Sequence, residues 1–261
     1  MLYERKSQLR KALFLVFLTN IGYNGVMIYN IADLKVKINN KYSFTDKLCA
    51  DYLSENQDSS DIEVTAGAEE IAKEKALSPN FPDGYIENIC LYREICNQMP
   101  VRNRFLLHSA VVEYGGAAYA FLGRSGTGKS THTGIWLKNL PSAKILNGDK
   151  PIIGYAGGEF IVYGTPWQGK ERLGYNGKAP LKGLCFLEQA KKNEIARLSP
   201  GQAAERLFVQ ILLPDDPEAV GKTLELCDEL VKTVPSYLLK CDISDEAFEK
   251  SFAALTKGEP T

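Results

Sequence analysis

FLLHSAVVEYGGAAYAFLG, residues 105–123, reads as two apolar strands joined at Gly115-Gly116. A Gly-Gly pair adopts the positive φ angles that a tight hairpin demands, so the two strands are expected to be antiparallel neighbours. The hairpin decides the fold because it runs straight into residues 123–130, GRSGTGKS, which spell G-x-x-x-x-G-K-S. In the common nucleotide-hydrolase fold, the strand leading into such a loop lies in a parallel sheet and is reached by a helical crossover. Here it is reached by a hairpin. Further along, AKILN (143–147) and PIIGY (151–155) read as another pair, followed after Gly157-Gly158 by EFIVYG (159–164). The expectation is an α/β (α+β) fold whose mixed, largely antiparallel sheet surrounds the loop, with a doubly wound parallel sheet as the alternative.

The loop carries the first chemistry. Gly123, Gly126 and Gly128 allow successive backbone N–H groups to turn inward around phosphate oxygens, with Arg124, Ser125 and Thr127 between them. Lys129 is expected on the β- and γ-phosphates and the Ser130 hydroxyl on Mg²⁺. Thr131 is expected to open a helix whose N-terminal dipole attracts the anion. That helix, STHTGIWLKNL, would bury Ile135, Trp136 and Leu140 and end at Pro141. The alternative is a structural glycine-rich turn.

A metal-bound nucleotide also needs a carboxylate at a strand end, and ILNGDKP supplies Asp149, placed to hold Mg²⁺ or to accept a hydroxyl proton. As Asn-Gly-Asp is good turn chemistry, a plain turn aspartate is the other reading. The chain has two histidines. His108 lies near the end of an apolar strand directed at the loop, whereas His132 falls in the first turn of the loop helix and reads as a packing or surface residue. GTPWQGKER (164–172) sets Lys170 and Arg172 beside Pro166 and Trp167. These cations are either a clamp for a phosphoryl group or a solvated corner next to a packed Trp.

Composition narrows the partners. The chain has 261 residues, 44% of them hydrophobic, enough for a full core. Lys and Arg number 31 against 32 Asp and Glu, a net charge of −1 that does not point to nucleic acid or an anionic membrane. A discrete ligand, a nucleotide, is the expected partner. The six cysteines have no C-x-x-C pair and no zinc spacing, and read as free thiols of a cytoplasmic protein. Cations at 5, 6, 10 and 11 precede the apolar run 12–18, which imitates a secretory signal but is too short to span a bilayer. Residues 1–26 are read as an N-terminal extension without stable membrane insertion, and Met27 as an alternative start.

Residues 27–100 read as a small N-terminal α/β subdomain, with strands at Leu34/Val36/Ile38 and DIEVT (61–65) and helices over 68–77 and 85–99. Residues 101–261 form the loop-bearing domain. Past residue 180, KGLCFLEQ and EIARL suggest strands, while Ser199-Pro200, Asp216-Pro217 and Ser244 mark helix starts.

The order H-S-x-V-V (108–112), G-x-S-G-x-G-K-S-T (123–131) and an aspartate at a strand end resembles the HPr serine kinase/phosphorylase catalytic domain and, more distantly, ATP-dependent phosphoenolpyruvate carboxykinase. GTPWQGK, the N-x-x-x-P-L of 176–181 and FLEQ (186–189) look closest to HPr kinase-related proteins. The resemblance covers roughly residues 104–200. It implies His108 beside the nucleotide, Lys129 on the phosphates, Ser130 on the metal and Asp149 in the acidic strand-end role. It also implies ATP and Mg²⁺ as cofactors and transfer of the γ-phosphoryl to a hydroxyl, on a serine of a small protein or peptide; homo-oligomerisation stays open. A nucleotide-sensing module without phosphotransfer and a carboxykinase-like enzyme are the alternatives. One departure stands out: relatives usually show two adjacent aspartates, and this chain has Gly148-Asp149-Lys150. If Asp149 matches the metal-holding aspartate, the general base is missing; if it matches the base, the metal depends on Ser130 and phosphate oxygens.

Overall fold

Val26–Ile31 (β1) and Leu34–Asn39 (β2) pair antiparallel around Ala32 and Asp33, which take φ of 53° and 60°. This is the primed-turn geometry that matches strand twist, made here without glycine. Its lack of glycine is why the sequence marks β2 by alternation but hides β1. The computed structural model describes residues 26–257, so the expectations for the charged and apolar start of the chain lie outside the described residues, apart from Val26 in β1. Ile62–Thr65 (β3) adds to β2 in parallel. This unit has three α-helices: Phe44–Leu48 (α1) between β2 and β3, and Ala68–Leu77 (α2) and Asp83–Gln98 (α3) after β3. The sequence pattern does not signal α1, and α3 begins ahead of the expected Tyr85. α3 buries Ile86, Cys90, Leu91, Ile95 and Cys96. Its Glu87 carboxylate accepts hydrogen bonds from Lys41 N (2.7 Å) and Tyr42 N (2.9 Å), fixing the chain after β2. The unit ends at Gln98 and a second begins at Met99.

The second unit holds a nine-stranded sheet. In chain order its strands are Arg104–Leu106 (β4), Ser109–Tyr114 (β5), Ala117–Leu122 (β6), Lys144–Asn147 (β7), Ile152–Ala156 (β8), Glu159–Tyr163 (β9), Lys178–Gln189 (β10), Glu194–Arg197 (β11) and Ser236–Cys241 (β12). The spatial order runs β4-β8-β9-β10-β6-β5-β7, with β12 also beside β10 and β11 beside β12. Only β10's pairings with β6 and β12 are parallel; the others are antiparallel. The sheet is therefore mixed and mostly antiparallel, an α+β arrangement rather than a doubly wound parallel one. As the Gly-Gly signal requires, β5 and β6 meet in a two-residue turn, Gly115 and Gly116 at φ of 60° and 76°. β8 and β9 repeat the device at Gly157 and Gly158.

Both faces of the central strands are buried. Ala118, Ala120 and Leu122 of β6 join one apolar cluster with Leu184 and Phe186 of β10, while Tyr119 and Phe121 join another with Cys185 and Leu187. Pro200–Phe208 (α5) and Pro217–Thr233 (α6) supply Ala203, Leu207, Leu226 and Leu230 to the first cluster. Lys129–Asn139 (α4) and Asp245–Lys257 (α7) supply Trp136, Phe248 and Leu255 to the second. Each such large side chain contributes about 1.5–3 kcal/mol of burial. Ser199 and Asp216 cap α5 and α6 as expected, accepting from Gln202 N and Ala219 N. Ser244 stands immediately before Asp245, the first residue of the last helix, and donates its hydroxyl to Asp242 Oδ1 at 2.5 Å. The six cysteines are all free, and five are buried.

Two strand expectations are corrected. FLLHSAVVEY is not one strand: β4 pairs with β8, and β5 pairs with β6 and β7. The chain changes partners where Leu107 N donates to Pro151 O (3.1 Å) and His108 N to Gln210 O (2.7 Å). Nor do AKILN and PIIGY pair with each other; β7 pairs with β5, and β8 pairs with β4 and β9. The NGDKP turn, pinned by the Asn147 side chain, diverts the chain between them.

Candidate functional site

The loop leaves the carboxyl end of β6. Gly126 and Gly128 take φ of 81° and 103°, conformations that L side chains rarely adopt. A Cβ on Gly123 would meet the Thr127 side chain at 3.1 Å. Thr127 closes the turn by donating N–H and Oγ1–H to Arg124 O, at 3.1 and 2.6 Å. The Lys129 ammonium folds back into the loop and donates to Gly123 O at 2.8 Å. From the next strand, β10, the Gln189 amide donates to Gly126 O at 3.1 Å. α4 starts at Lys129 with Gly128 as its N-cap, two residues ahead of the expected Thr131. Arg124, Ser125, Gly126, Ser130 and Thr131 are exposed, while Lys129 is buried. Burial pushes the Lys129 pKa down; the Asp149 charge opposes that fall and the Lys150 charge adds to it. The strand-end carboxylate is thus near enough for its charge to reach the loop lysine.

Asp149 stands on a pinned turn at the end of β7. Asn147 Oδ1 accepts from Asp149 N (2.9 Å) and Lys150 N (2.8 Å), and its Nδ2 donates to Thr165 Oγ1 (3.0 Å). Thr165 in turn donates its hydroxyl to Lys150 O at 2.7 Å. Ser109 N donates to Asp149 O at 3.0 Å, and Gly148 N to Leu173 O at 2.9 Å. The GTPWQGK segment thus braces the aspartate turn from outside. Trp167 is 6% exposed, whereas Lys170 and Arg172 are exposed. A Cβ at Gly148 would lie 3.2 Å from both Gln168 O and Leu173 O, so the chain folded over the turn leaves little room for a side chain there.

The Asp149 carboxylate is held on both oxygens. His108 Nε2 lies 3.2 Å from Oδ1 and Lys150 Nζ 2.6 Å from Oδ2. Burial alone would raise this carboxyl, but the hydrogen bonds and charges of His108 and Lys150 outweigh it and bring the pKa down to about 2. The structure therefore brings His108, Lys129 and Asp149 together and adds Lys150. The interactions that join these four do not include Lys170, Arg172 or Ser130. Among the described residues no group of three or more His, Cys, Asp or Glu could hold a metal. Asp149 and Ser130 are a donor set suited to a Mg²⁺ that arrives on phosphates, because that ion commonly keeps its waters and takes only one or two carboxylates.

Under the loop helix the second histidine has a different setting. His132 is 3% exposed, with its ring edge-to-face with Phe121 at 5.0 Å between centroids. Its Nε2 lies 3.0 Å from Ser251 Oγ, which also accepts from Trp136 Nε1 (2.9 Å) and donates to Phe248 O (3.0 Å). A hydroxyl has one proton, and Phe248 O takes it, so His132 must donate through Nε2–H. Nδ1 is left buried without a partner. Burial drives the His132 pKa down to about 4, so the ring is neutral at physiological pH.

Sequence reasoning missed two contributors. Gln189 reaches the loop only because β10 runs parallel beside β6, a pairing that no local signal marks; its trace in the sequence is the end of FLEQ. Lys150 entered only as part of a departure from two aspartates.

No family model matches the chain, and no curated protein matches it. Among solved structures it is similar to the Hpr(Ser) kinase/phosphatase from Coxiella burnetii, at 8% identity and a TM-score of 0.33, over 55% of this chain and 91% of that one. No helix among the described residues is long and apolar enough to cross a membrane.

Proposed function

We propose that the chain takes a nucleoside triphosphate, ATP as its Mg²⁺ complex, on residues 123–131 and transfers the γ-phosphoryl to a hydroxyl, a serine of a small protein or peptide. The observation that supports this reading is that the strand-end carboxylate of Asp149 lies near enough to the loop for its charge to bear on the loop lysine, Lys129. Phosphoryl transfer asks little covalent chemistry of a protein and much positioning and charge neutralisation. In this reading, loop amides and Lys129 hold the phosphates, and Ser130 and Asp149 face the cation. The acceptor hydroxyl donates its hydrogen bond to Asp149. Its oxygen bonds to the γ-phosphorus as the bond to the bridging oxygen breaks, the hydroxyl proton passes through Asp149 to solvent, and ADP leaves.

A nucleotide-sensing module without transfer is the second reading. It draws support from the engagement of both Asp149 oxygens, which leaves this carboxylate a weak base. Incubation with γ-labelled ATP, Mg²⁺ and serine-bearing peptides separates the two. Transfer should appear with the native chain and vanish in Asp149→Asn, while Lys129→Ala should lose nucleotide affinity. Saturable binding without transfer selects the sensing module, and a native chain that binds no nucleoside triphosphate overturns both.

A further inference from the structure

Lys150 is fixed more firmly than a surface lysine needs to be. Its backbone N–H is held by Asn147 Oδ1 at 2.8 Å and lies 3.2 Å from Trp167 O, its carbonyl accepts from Thr165, and Pro151 follows. The side chain is 31% exposed, so the ammonium sits at the mouth of the site and not in a sealed pocket. Asp149 aims it, at 2.6 Å from Oδ2. The turn that carries it lies beside the strand that feeds the loop: Ser109 N donates to Asp149 O at 3.0 Å, and Ser109 pairs with Leu122, the residue before Gly123; the Lys150 charge also bears on Lys129. Like charges in a half-buried site raise its energy unless an anion joins them. Here two ammonium groups face one carboxylate, with His108 as the other titratable neighbour. An exposed ion pair made only for stability would contribute about 0–1 kcal/mol and gives no reason to crowd a second cation against the loop lysine.

We propose that Lys150 is a second phosphate-binding ammonium, acting with Lys129 on the anion in the loop, and that Asp149 is the tether that aims it. The proposal rests on the reading of residues 123–131 as a polyphosphate site. It gives the Gly-Asp-Lys triplet a logic of its own: directly after its one carboxylate this chain places a cation that neutralises the phosphates.

The experiment is calorimetric titration of the full chain with ATP, with inorganic tripolyphosphate and with adenosine, each with Mg²⁺ and with a chelator. Lys150→Met should weaken ATP and tripolyphosphate by about tenfold to a hundredfold, the scale of one lost charge-assisted contact. Adenosine affinity should not change, and Lys150→Arg should restore most of the loss. The proposal is overturned if Lys150→Met binds tripolyphosphate like the native chain while Lys129→Met does not. It is equally overturned if Lys150→Arg rescues nothing, or if adenosine affinity falls in step with ATP, since those results mark a structural ion pair. If the native chain itself binds neither ATP nor tripolyphosphate, the polyphosphate reading fails, and this shows before any Lys150 variant is made.

Discussion

The two histidines lie at opposite sides of one short loop and helix, and their surroundings differ in kind. His108, with its side chain 35% exposed, leans on a carboxylate that also holds a lysine. His132, 3% exposed, is locked among Phe121, Trp136 and Ser251 with an unpartnered ring nitrogen. The first environment is polar and partly open to solvent; the second excludes charge and fixes a helix to its sheet. Residue type said nothing about which was which. The contrast teaches that the Asp149 side of the loop keeps its charged groups within reach of solvent while the underside of the loop helix is built for rigidity.

The sharpest way to break this contrast is at the underside. Trp136→Ala should cost about 3–5 kcal/mol in urea unfolding, the range for emptying a large aromatic site; a loss under about 1 kcal/mol would mean that α4 is not anchored there. Next comes pH. Unfolded His132 takes its proton near 6.5 and the folded ring near 4. Between those values the unfolded chain binds more protons, so stability is full above 6.5 and falls by about 3 kcal/mol as pH drops toward 4. Comparing the native chain with His132→Gln across that window should show this slope only in the native chain. A smaller effect on folding is expected at the mouth: His108→Ala should change stability by less than about 1 kcal/mol yet lower phosphotransfer about a hundredfold. Equal effects from both histidines would erase the distinction. The smallest change is Gln189→Ala, which should weaken nucleotide binding about threefold by releasing the Gly126 carbonyl, at unchanged thermal stability.

How much the sequence made legible depends on how far each signal reaches. The hairpins at Gly115-Gly116 and Gly157-Gly158 were visible because two glycines at positive φ are a local requirement. The caps at Ser199 and Asp216 were visible for the same reason. The β1 hairpin was not, because Ala32 and Asp33 meet the turn geometry without the usual residue. At the site, Lys129 and Asp149 could be named from residue type and spacing, but the braces of Asp149 could not. Asn147, Thr165 and Gly148 acquire their meaning only when residues 164–174 fold over the turn. Gln189 and the split of FLLHSAVVEY both depend on which strands become neighbours, a matter of long-range pairing that no window of sequence contains.

β10 completes the sheet by serving two neighbourhoods: its first residues pair with β9, and the remainder lies between β6 and β12. During synthesis the β5–β6 and β8–β9 hairpins leave the ribosome before it, each with an open edge able to seize another nascent chain. Translation that stalls ahead of Lys178 would therefore release two open-edged hairpins, and the outer edge of β10 itself stays open until β12 is made.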